Sequence, residues 1–372
     1  MSKFEPFVME RMMSKFENTV EFNLSESGVH PMTLGELLEM GGRSVDALLA
    51  TEIDYPQANG AIPLRETIAR LYDGATADNV LVTVGAAEAN YLTIHTLIEA
   101  GDEVVIMCPN YMQVWGIAHN RGARIKDFHL REENDWAPDL AELEEVVGDD
   151  TKLIAVCNPN NPTGRIMTAA EMDAVVAAAA RVGAWILADE VYTGAERERE
   201  EETPSFYGRY DKVIASGSMS KAYGLPGLRL GWAVGPAQTL DDMWARHEYT
   251  TISTTALSNE LAALALSPEV RPQILERTRG FIRRGYPVLK EWAERQDGKL
   301  RVFPCDAAAI AFARYDLELN STELVEHLRD ELSVLIVPGD HFGIDRCLRI
   351  SFGLPHDYLK GGLERISAGM LA

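Results

Sequence analysis

The chain has 372 residues, of which 46% are hydrophobic and 25% charged, and its formal net charge is −22. This composition predicts a well-packed globular protein with room for two domains, and the acidic excess argues against nucleic acid or an anionic membrane as a partner. No apolar run approaches the roughly 20 residues that a membrane-spanning helix needs, and residues 1–22 lack the features of a secretory signal, so we expect a cytoplasmic location.

The first predicted element is a short amphipathic helix near the N-terminus. Its apolar face is predicted to contain Phe4, Phe7, Val8, Met12 and Phe16, which fall near helical spacing. The helix leads into the segment "FNLSESGVHPMTLGEL".

Short apolar runs then alternate with helical patterns. Strands are predicted within 79–85, 102–109, 151–164, 184–192 and 211–221. Helices are predicted from Ala87 and over 168–183, where Thr168 and Glu171 have capping-box spacing and Gly183 ends the helix. Runs that are apolar on both faces and alternate with helices predict an α/β fold with a mostly parallel sheet between helices.

The pattern changes after about residue 255 and predicts a smaller α+β domain with a helix near 321–332. The predicted domains are an N-terminal arm with part of the small domain (1–45), a large domain (46–255) and a C-terminal small domain (256–372). The four cysteines are far apart, so we expect reduced thiols and neither a metal site nor disulfides: Cys108, Cys157, Cys305 and Cys347.

The predicted strands of the large domain end in polar or glycine-bearing segments, namely "GAAEAN", "PNY", "NPNNPTG", "DEVY" and "SGSMSK". Ligands bind at the carboxyl ends of the strands in open α/β sheets, so these five segments are expected to converge on one crevice.

Lys221, in "SGSMSKAYGLPGLRLGW", stands in a setting that suits a covalent bond with a cofactor. Amine–carbonyl chemistry needs a lysine that is neutral part of the time, so burial or a neighbouring cation such as Arg229 must lower its pKa. Ser216, Ser218 and Ser220 offer hydroxyls to an anion, and the small residues of "VGAAEAN" begin a helix whose free amides favour a phosphate.

Other strand ends offer groups for an aromatic ring. Asp189 follows the apolar "WILA", so its carboxylate is expected to be half-buried and to need a cationic partner such as a protonated pyridine nitrogen. Tyr192 and Asn161 offer hydrogen bonds to a ring hydroxyl, and Tyr111 offers a flat face for stacking. Together with the lysine and the phosphate site, these groups describe pyridoxal 5′-phosphate (PLP).

The chain resembles the class I/II aminotransferases of PLP fold type I, which include aspartate-aminotransferase-like enzymes. The segments "YPQANGAIPLR", "VTVGAAEA", "NPNNPTG", "DEVY", "SMSKAYGLPGLRLGW" and "LRISFG" occur in that family's order and at similar spacings. The resemblance implies a large PLP-binding domain, a smaller α+β domain, and a homodimer with shared active sites.

The resemblance also implies a role for each matching residue. Lys221 forms the Schiff base and carries the proton, with Asp189 and Tyr192 as the other catalytic residues. The implied cofactor contacts are Gly85, Ala86, Ala87, Tyr111, Asn161, Asp189, Tyr192, Ser218, Lys221 and Arg229, together with Tyr55 of the partner subunit. The implied substrate contacts are Arg349, which pairs with the α-carboxylate, and Asn161, Gly28 and His30.

The expected reaction is amino-group transfer between an α-amino acid and a 2-oxo acid. The segment "FNLSESGVHPMTLGEL" resembles capreomycidine-synthase-like enzymes, which implies elimination and ring closure on a hydroxylated arginine as an alternative. A PLP-binding regulator is a third class. "EYTTIST" has no arginine where dicarboxylate-specific members of the family place one, which argues against aspartate as the preferred substrate.

Four assignments stay open from the sequence. The N-terminal helix is either a lid that orders over the substrate or a fixed dimer-interface arm. His30 is either a second acid–base group or loop structure, and Trp115 is either a pocket wall or packing. The substrate amino acid is the fourth.

Overall fold

The computed structural model describes residues 4–371, and its elements are numbered in chain order. The helices are α1 (Val8–Phe16), α2 (Leu34–Met40), α3 (Val45–Leu49), α4 (Ile62–Ala69), α5 (Gly85–Leu97), α6 (Gln113–Arg121), α7 (Leu140–Val146), α8 (Ala169–Val182), α9 (Ala237–His247), α10 (Ala256–Ala265), α11 (Arg271–Glu294), α12 (Ser321–Leu332) and α13 (His356–Leu371). The strands are β1 (Phe22–Asn23), β2 (Val80–Thr83), β3 (Glu103–Cys108), β4 (Arg124–Arg131), β5 (Ala137–Pro138), β6 (Thr151–Cys157), β7 (Trp185–Asp189), β8 (Val213–Ser218), β9 (Gly231–Val234), β10 (Leu300–Val302), β11 (Ile310–Tyr315), β12 (Val334–Leu335), β13 (Val337–Pro338) and β14 (Cys347–Ser351).

The largest sheet has eight strands in the order β2-β9-β8-β7-β6-β3-β4-β5. The five strands from β8 to β4 are parallel, whereas β2, β9 and β5 pair in antiparallel fashion at the two edges. Neighbouring residues of β3 point to opposite faces: Val104 packs in one buried cluster and Val105 in another. Helices therefore cover both faces, as the apolar runs predicted.

The five predicted strands of this sheet correspond to β2, β3, β6, β7 and β8, each shorter than the sequence suggested. Strands β4, β5 and β9 of this sheet were not predicted; β9 lies between β2 and β8. The capping box of α8 is confirmed: Thr168 accepts a hydrogen bond from the backbone of Glu171, and Gly183 ends the helix with φ +70°.

A second sheet lies in the C-terminal part of the chain, with the antiparallel order β10-β11-β14-β13. A two-stranded parallel sheet of β1 and β12 attaches the N-terminal segment to this part. The domain boundaries at 45/46 and 255/256 stay a prediction; the first cuts α3, and residues 1–3 and 372 lie outside the described residues. In the part of the chain that is described, no helix combines the length and apolar character needed to span a bilayer.

The N-terminal helix exists as α1. Phe7, Met12 and Phe16 of its predicted apolar face pack against buried clusters, whereas Phe4 and Val8 do not. Met9 and Met13, four residues apart, are the buried side chains of α1, whereas Phe4 is 72% exposed and Val8 49% exposed. A tertiary contact explains why Met9 and Met13 are buried, because both pack on the guanidinium of Arg349 from β14.

Candidate active site

A cavity of about 410 Å³ lies where the parallel strands end. The last residues of β6, β7 and β8 line it, namely Cys157, Asp189 and Ser218, together with the first turn of α5. Side chains that follow neighbouring parallel strands emerge at one edge of the sheet, which brings these residues together. The predicted crevice is therefore present.

Lys221 lines this cavity, three residues after β8 ends. Burial lowers the pKa of Lys221; Glu26 opposes this shift, and Arg349 and then Arg229 add to it. Desolvation, rather than the expected contribution of Arg229, is thus the main cause. A lysine with a lowered pKa spends more time as the neutral amine that carbonyl chemistry requires.

Asp189 forms the floor of the cavity and is only 8% exposed. Its carboxylate accepts hydrogen bonds from the side chain of Asn90 at 3.2 Å and from the backbone of Val191 at 3.3 Å. Burial raises the pKa of Asp189, and these two hydrogen bonds and Lys221 oppose the rise. No cation among the described residues forms an ion pair with this carboxylate, so it can accept a positively charged ligand group.

The residues expected to hold a phosphate meet at one end of the cavity. Ala86 and Ala87 lie in the first turn of α5, where helix amides lack partners within the helix. A Cβ on Gly85 would lie 2.7 Å from Nη2 of Arg229, so only glycine allows this arginine so close to the helix start. Ser218 and the exposed Arg229 also line the cavity. These groups form the predicted anion site.

Arg349 and Asn161 form the opposite end. Arg349 is 1% exposed and donates a hydrogen bond from Nη1 to the side-chain oxygen of Asn161 at 3.1 Å. Its Nη2 donates to the backbone oxygen of Ser25, whereas its Nε has no hydrogen-bond partner. Burial lowers the pKa of Arg349. A buried guanidinium with an unpaired donor suits a ligand carboxylate.

Tyr111 and Tyr192 line the same cavity. The hydroxyl of Tyr111 donates a hydrogen bond to a carboxylate oxygen of Glu10 on α1, and Phe7 packs edge-on against the ring of Tyr111. Burial raises the pKa of both tyrosines, so both keep their hydroxyl protons and can donate them in hydrogen bonds.

The side chains that the N-terminal segment contributes to this cavity were not predicted from the sequence. Glu10, Met13 and Glu17 line it from α1 and its C-terminal end, and Glu26 lines it from the loop that follows β1. The signal was present in the spacing, because residues at i, i+3 and i+7 share one face of a helix. The predicted face of the helix was instead assigned from the spacing of the phenylalanines.

Gly28 and His30 do not line the cavity. A Cβ on Gly28 would lie 3.0 Å from the backbone oxygen of Ser220, so Gly28 packs on the loop that carries Lys221. The prediction that His30 contacts the substrate is not supported: its backbone bonds to Gly353, and its exposed ring lies against Phe281 at 5.9 Å.

Two further predicted residues lie elsewhere. Tyr55 is 83% exposed and outside the cavity of its own chain, in a segment that also exposes Leu49 and Ile53. This placement is compatible with the expected contact across a dimer. Trp115 stacks on His119 with 5.0 Å between ring centroids and does not line the cavity, so it packs rather than forms a pocket wall.

The residues present fit PLP. The anion site around Gly85 suits its phosphate, Lys221 suits its aldehyde, and the buried carboxylate of Asp189 has no cation as partner among residues 4–371. Within the same described range, the side-chain oxygen of Asn90, beside Asp189, accepts no hydrogen bond. A protonated ring nitrogen is a cation of the kind that such a site lacks.

The family model for aminotransferase class I and II matches residues 49–366. The chain belongs to this family. It is therefore an enzyme of the PLP-dependent aminotransferase family with pyridoxal 5′-phosphate as its cofactor, and the predicted fold class and cofactor are confirmed. The family acts on amino-acid and keto-acid substrates and is typically dimeric.

Individual relatives differ in reaction. Capreomycidine synthase of Streptomyces vinaceus is 33% identical over 93% of this chain and 88% of its own length. An aspartate aminotransferase of Pyrococcus horikoshii is 28% identical over 84% of this chain and 82% of its own length.

Two similar solved structures also differ in the reaction that their names give, one being an aminotransferase and the other a cyclase. A PLP-dependent aminotransferase from Streptococcus suis superimposes with a TM-score of 0.92 at 31% identity, covering 99% of this chain and 98% of that one. The PLP-dependent cyclase OrfR superimposes with a TM-score of 0.89 at 27% identity, covering 99% and 97%. The similarity to these proteins therefore establishes the family of this chain but does not decide between amino transfer and cyclisation.

Proposed function

We propose that this enzyme transfers an amino group between an α-amino acid and a 2-oxo acid. The observation that carries the proposal is one cavity lined by a half-buried lysine, Lys221, a buried carboxylate, Asp189, and a buried guanidinium, Arg349. This arrangement matches what an amino acid needs while its Cα–H bond breaks: a base, an electron-withdrawing ring held by Asp189, and an anchor for the carboxylate.

The substrate is held at its carboxylate. The Nε of Arg349 has no partner within the described part of the chain, and its Nη1 is fixed by Asn161. Guanidinium and carboxylate form paired hydrogen bonds with defined geometry. Arg349 would therefore fix the substrate carboxylate in the cavity that Lys221 also lines.

Lys221 moves the proton. Its lowered pKa leaves part of the population as a neutral amine, which takes the proton from Cα of the substrate. When bound, PLP supplies an electron-withdrawing ring that stabilises negative charge at Cα. Asp189 would keep the ring nitrogen protonated, and Tyr192, Asn161 and Tyr111, which line the same cavity, would hold the ring.

Ser218, Arg229 and the amides of Ala86 and Ala87 would hold the phosphate, joined by Tyr55 of the partner subunit. The exposed apolar side chains of Leu49 and Ile53 beside Tyr55 support an interface at this segment. We therefore propose a homodimer with shared active sites.

Elimination and ring closure on a modified amino acid is the second candidate. It is favoured by the 33% identity to capreomycidine synthase over 93% of the chain. Both reactions begin with removal of the same proton from Cα, so Lys221, Asp189 and Arg349 serve either one.

The deciding experiment mixes the holoenzyme with one amino acid at a time, without a 2-oxo acid, and measures amino-acid consumption. A transaminase consumes at most one equivalent per active site and resumes when a 2-oxo acid is added. A cyclase or lyase consumes many equivalents without a 2-oxo acid. No consumption of any of the twenty amino acids or of arginine derivatives would contradict both and favour a regulator.

A further inference from the structure

Three carboxylates line one side of the active-site cavity: Glu10, Glu17 and Glu26, here called the acidic wall. Glu10 and Glu17 stand seven residues apart on one face of α1 and its end, and Glu26 comes from the loop after β1. The acidic wall therefore combines two segments that β1 and β12 attach to the C-terminal part of the fold.

The acidic wall is not neutralised within the described part of the chain. None of its members forms an ion pair there. Glu10 accepts a hydrogen bond from Tyr111, and the side chains of Glu17 and Glu26 lie close enough to share a hydrogen bond with each other. Burial raises the pKa of Glu17, and the charges of Glu26 and Glu10 raise it further. Three carboxylates that repel one another around one cavity favour a cation between them.

Lys221 alone does not balance these charges. Lys221 and Arg349 together are two positive charges against three carboxylates, and burial lowers the pKa of Lys221, which reduces its mean charge. Arg349 is moreover the group that would pair with the substrate carboxylate. The acidic wall thus retains negative charge when a substrate arrives.

Arg349 provides the independent observation that a ligand occupies this space. It is 1% exposed, lines the same cavity, and has a buried Nε without a hydrogen-bond partner among the described residues. A buried guanidinium of this kind needs an anion. The cavity therefore presents a cation for one ligand group and carboxylates for another.

We propose that the acidic wall binds a cationic side chain, guanidinium or ammonium, of the amino-acid substrate, while Arg349 binds its α-carboxylate. The inference rests on the proposed function and adds the substrate class, and it holds for amino transfer and for cyclisation alike. Helix α1 is then a specificity element, because the face that places Glu10 and Glu17 in the cavity also places Met9 and Met13 on Arg349.

The test measures binding of unreactive ligands to the holoenzyme by calorimetry. Desamino-arginine has no primary amine, and desamino-lysine dimethylated at its side-chain nitrogen has none either, so neither can form a Schiff base with the cofactor. Each is compared with its neutral counterpart, desamino-citrulline or hexanoate. We expect at least one cationic ligand to bind roughly tenfold or more tightly than its neutral counterpart, as for a charge-assisted hydrogen bond. The ratio of affinities, cationic over neutral ligand, is compared between the two pairs. The pair with the larger ratio shows whether the site prefers guanidinium or ammonium.

Glu17→Gln and Glu26→Gln should each reduce this ratio severalfold, because each replaces a carboxylate with a neutral group of the same shape. Glu5→Gln is the matched control, since Glu5 is exposed near the start of α1 and does not line the cavity. Equal affinities for charged and neutral ligands in the wild type would overturn the proposal, whether or not the variants fold. A ratio that survives in folded Glu17→Gln and Glu26→Gln would overturn the assignment to these residues.

The measurements distinguish failure of the proposed reaction from failure of the proposed cation site. If the holoenzyme consumes neutral amino acids and the charged ligands show no preference, the acidic wall is wrong and the reaction class stands. If cationic ligands bind preferentially but no amino acid is consumed, the reaction class is wrong and the acidic wall stands.

Discussion

Arg349 on β14 donates a hydrogen bond of 3.1 Å to the side chain of Asn161, in the loop after β6. This contact joins the C-terminal sheet to the edge of the large sheet at the cavity. Under the proposed function Asn161 also holds the cofactor ring, so the hydrogen-bonded pair of Arg349 and Asn161 would position both the substrate carboxylate and the ring.

Arg349→Lys should lower kcat/KM by about a hundredfold, near 3 kcal/mol, since lysine cannot form the paired hydrogen bonds and leaves Asn161 without its donor. Single-turnover rates at a series of amino-acid concentrations measure this. Arg346→Lys is the control, because Arg346 lies in the turn before β14 with a half-exposed side chain. A similar loss in both variants would show that Arg349 acts through stability.

Lys221→Ala should abolish covalent attachment of the cofactor and lower turnover by roughly 10³-fold or more, because the residue is both tether and base. Reduction with borohydride followed by mass spectrometry locates the attached lysine. Labelling of the wild type at another lysine, or labelling that persists in Lys221→Ala, would refute the assignment.

Glu190 should make folding stability depend on pH. It follows Asp189 but faces away from the cavity, and burial raises its pKa from 4.5 to about 7. The folded protein holds this proton more tightly than the unfolded chain. The stabilisation is therefore full below about pH 4.5 and is lost as the pH rises through about 7, a change of about 3 kcal/mol.

The matched variant is Glu190→Gln, which keeps the oxygen that accepts hydrogen bonds from Ser205 and Phe206. Urea unfolding of both proteins from about pH 5 to about pH 8 measures the difference in unfolding free energy. We expect the wild type to lose stability relative to the variant across this range. If the unfolding free energies of the two proteins changed in parallel with pH, the pKa of Glu190 would be near its ordinary value.

Tyr55 should act in the partner's active site. Tyr55→Phe and Lys221→Ala are mixed so that subunits exchange. Each hybrid dimer then has one site with both defects and one with neither, so activity should recover toward half of the wild-type value per dimer. Proven exchange without recovery would place Tyr55 in the site of its own subunit. Hybrids of Lys221→Ala with wild-type subunits provide the reference.

The sequence predicted the strand ends well because parallel strands bring their carboxyl ends to one edge, whatever the loops do between them. Asp189, Ser218 and Lys221 follow from that rule together with local motifs. His30 does not, because its position depends on a backbone bond to Gly353, far along the chain. The face of α1 was likewise decided by Arg349, a residue whose burial the N-terminal sequence does not encode.

The contact between Met9 and Arg349 spans 340 positions of sequence, and the cavity end that holds the carboxylate needs both. A growing chain can assemble the large sheet and its lysine long before β14 leaves the ribosome. The anchor for substrate forms only after the last strand is made and α1 has closed onto it. Because contacts between residues far apart in sequence form slowly, we expect the Arg349 end of the cavity to form after the strands that carry Lys221 and Asp189.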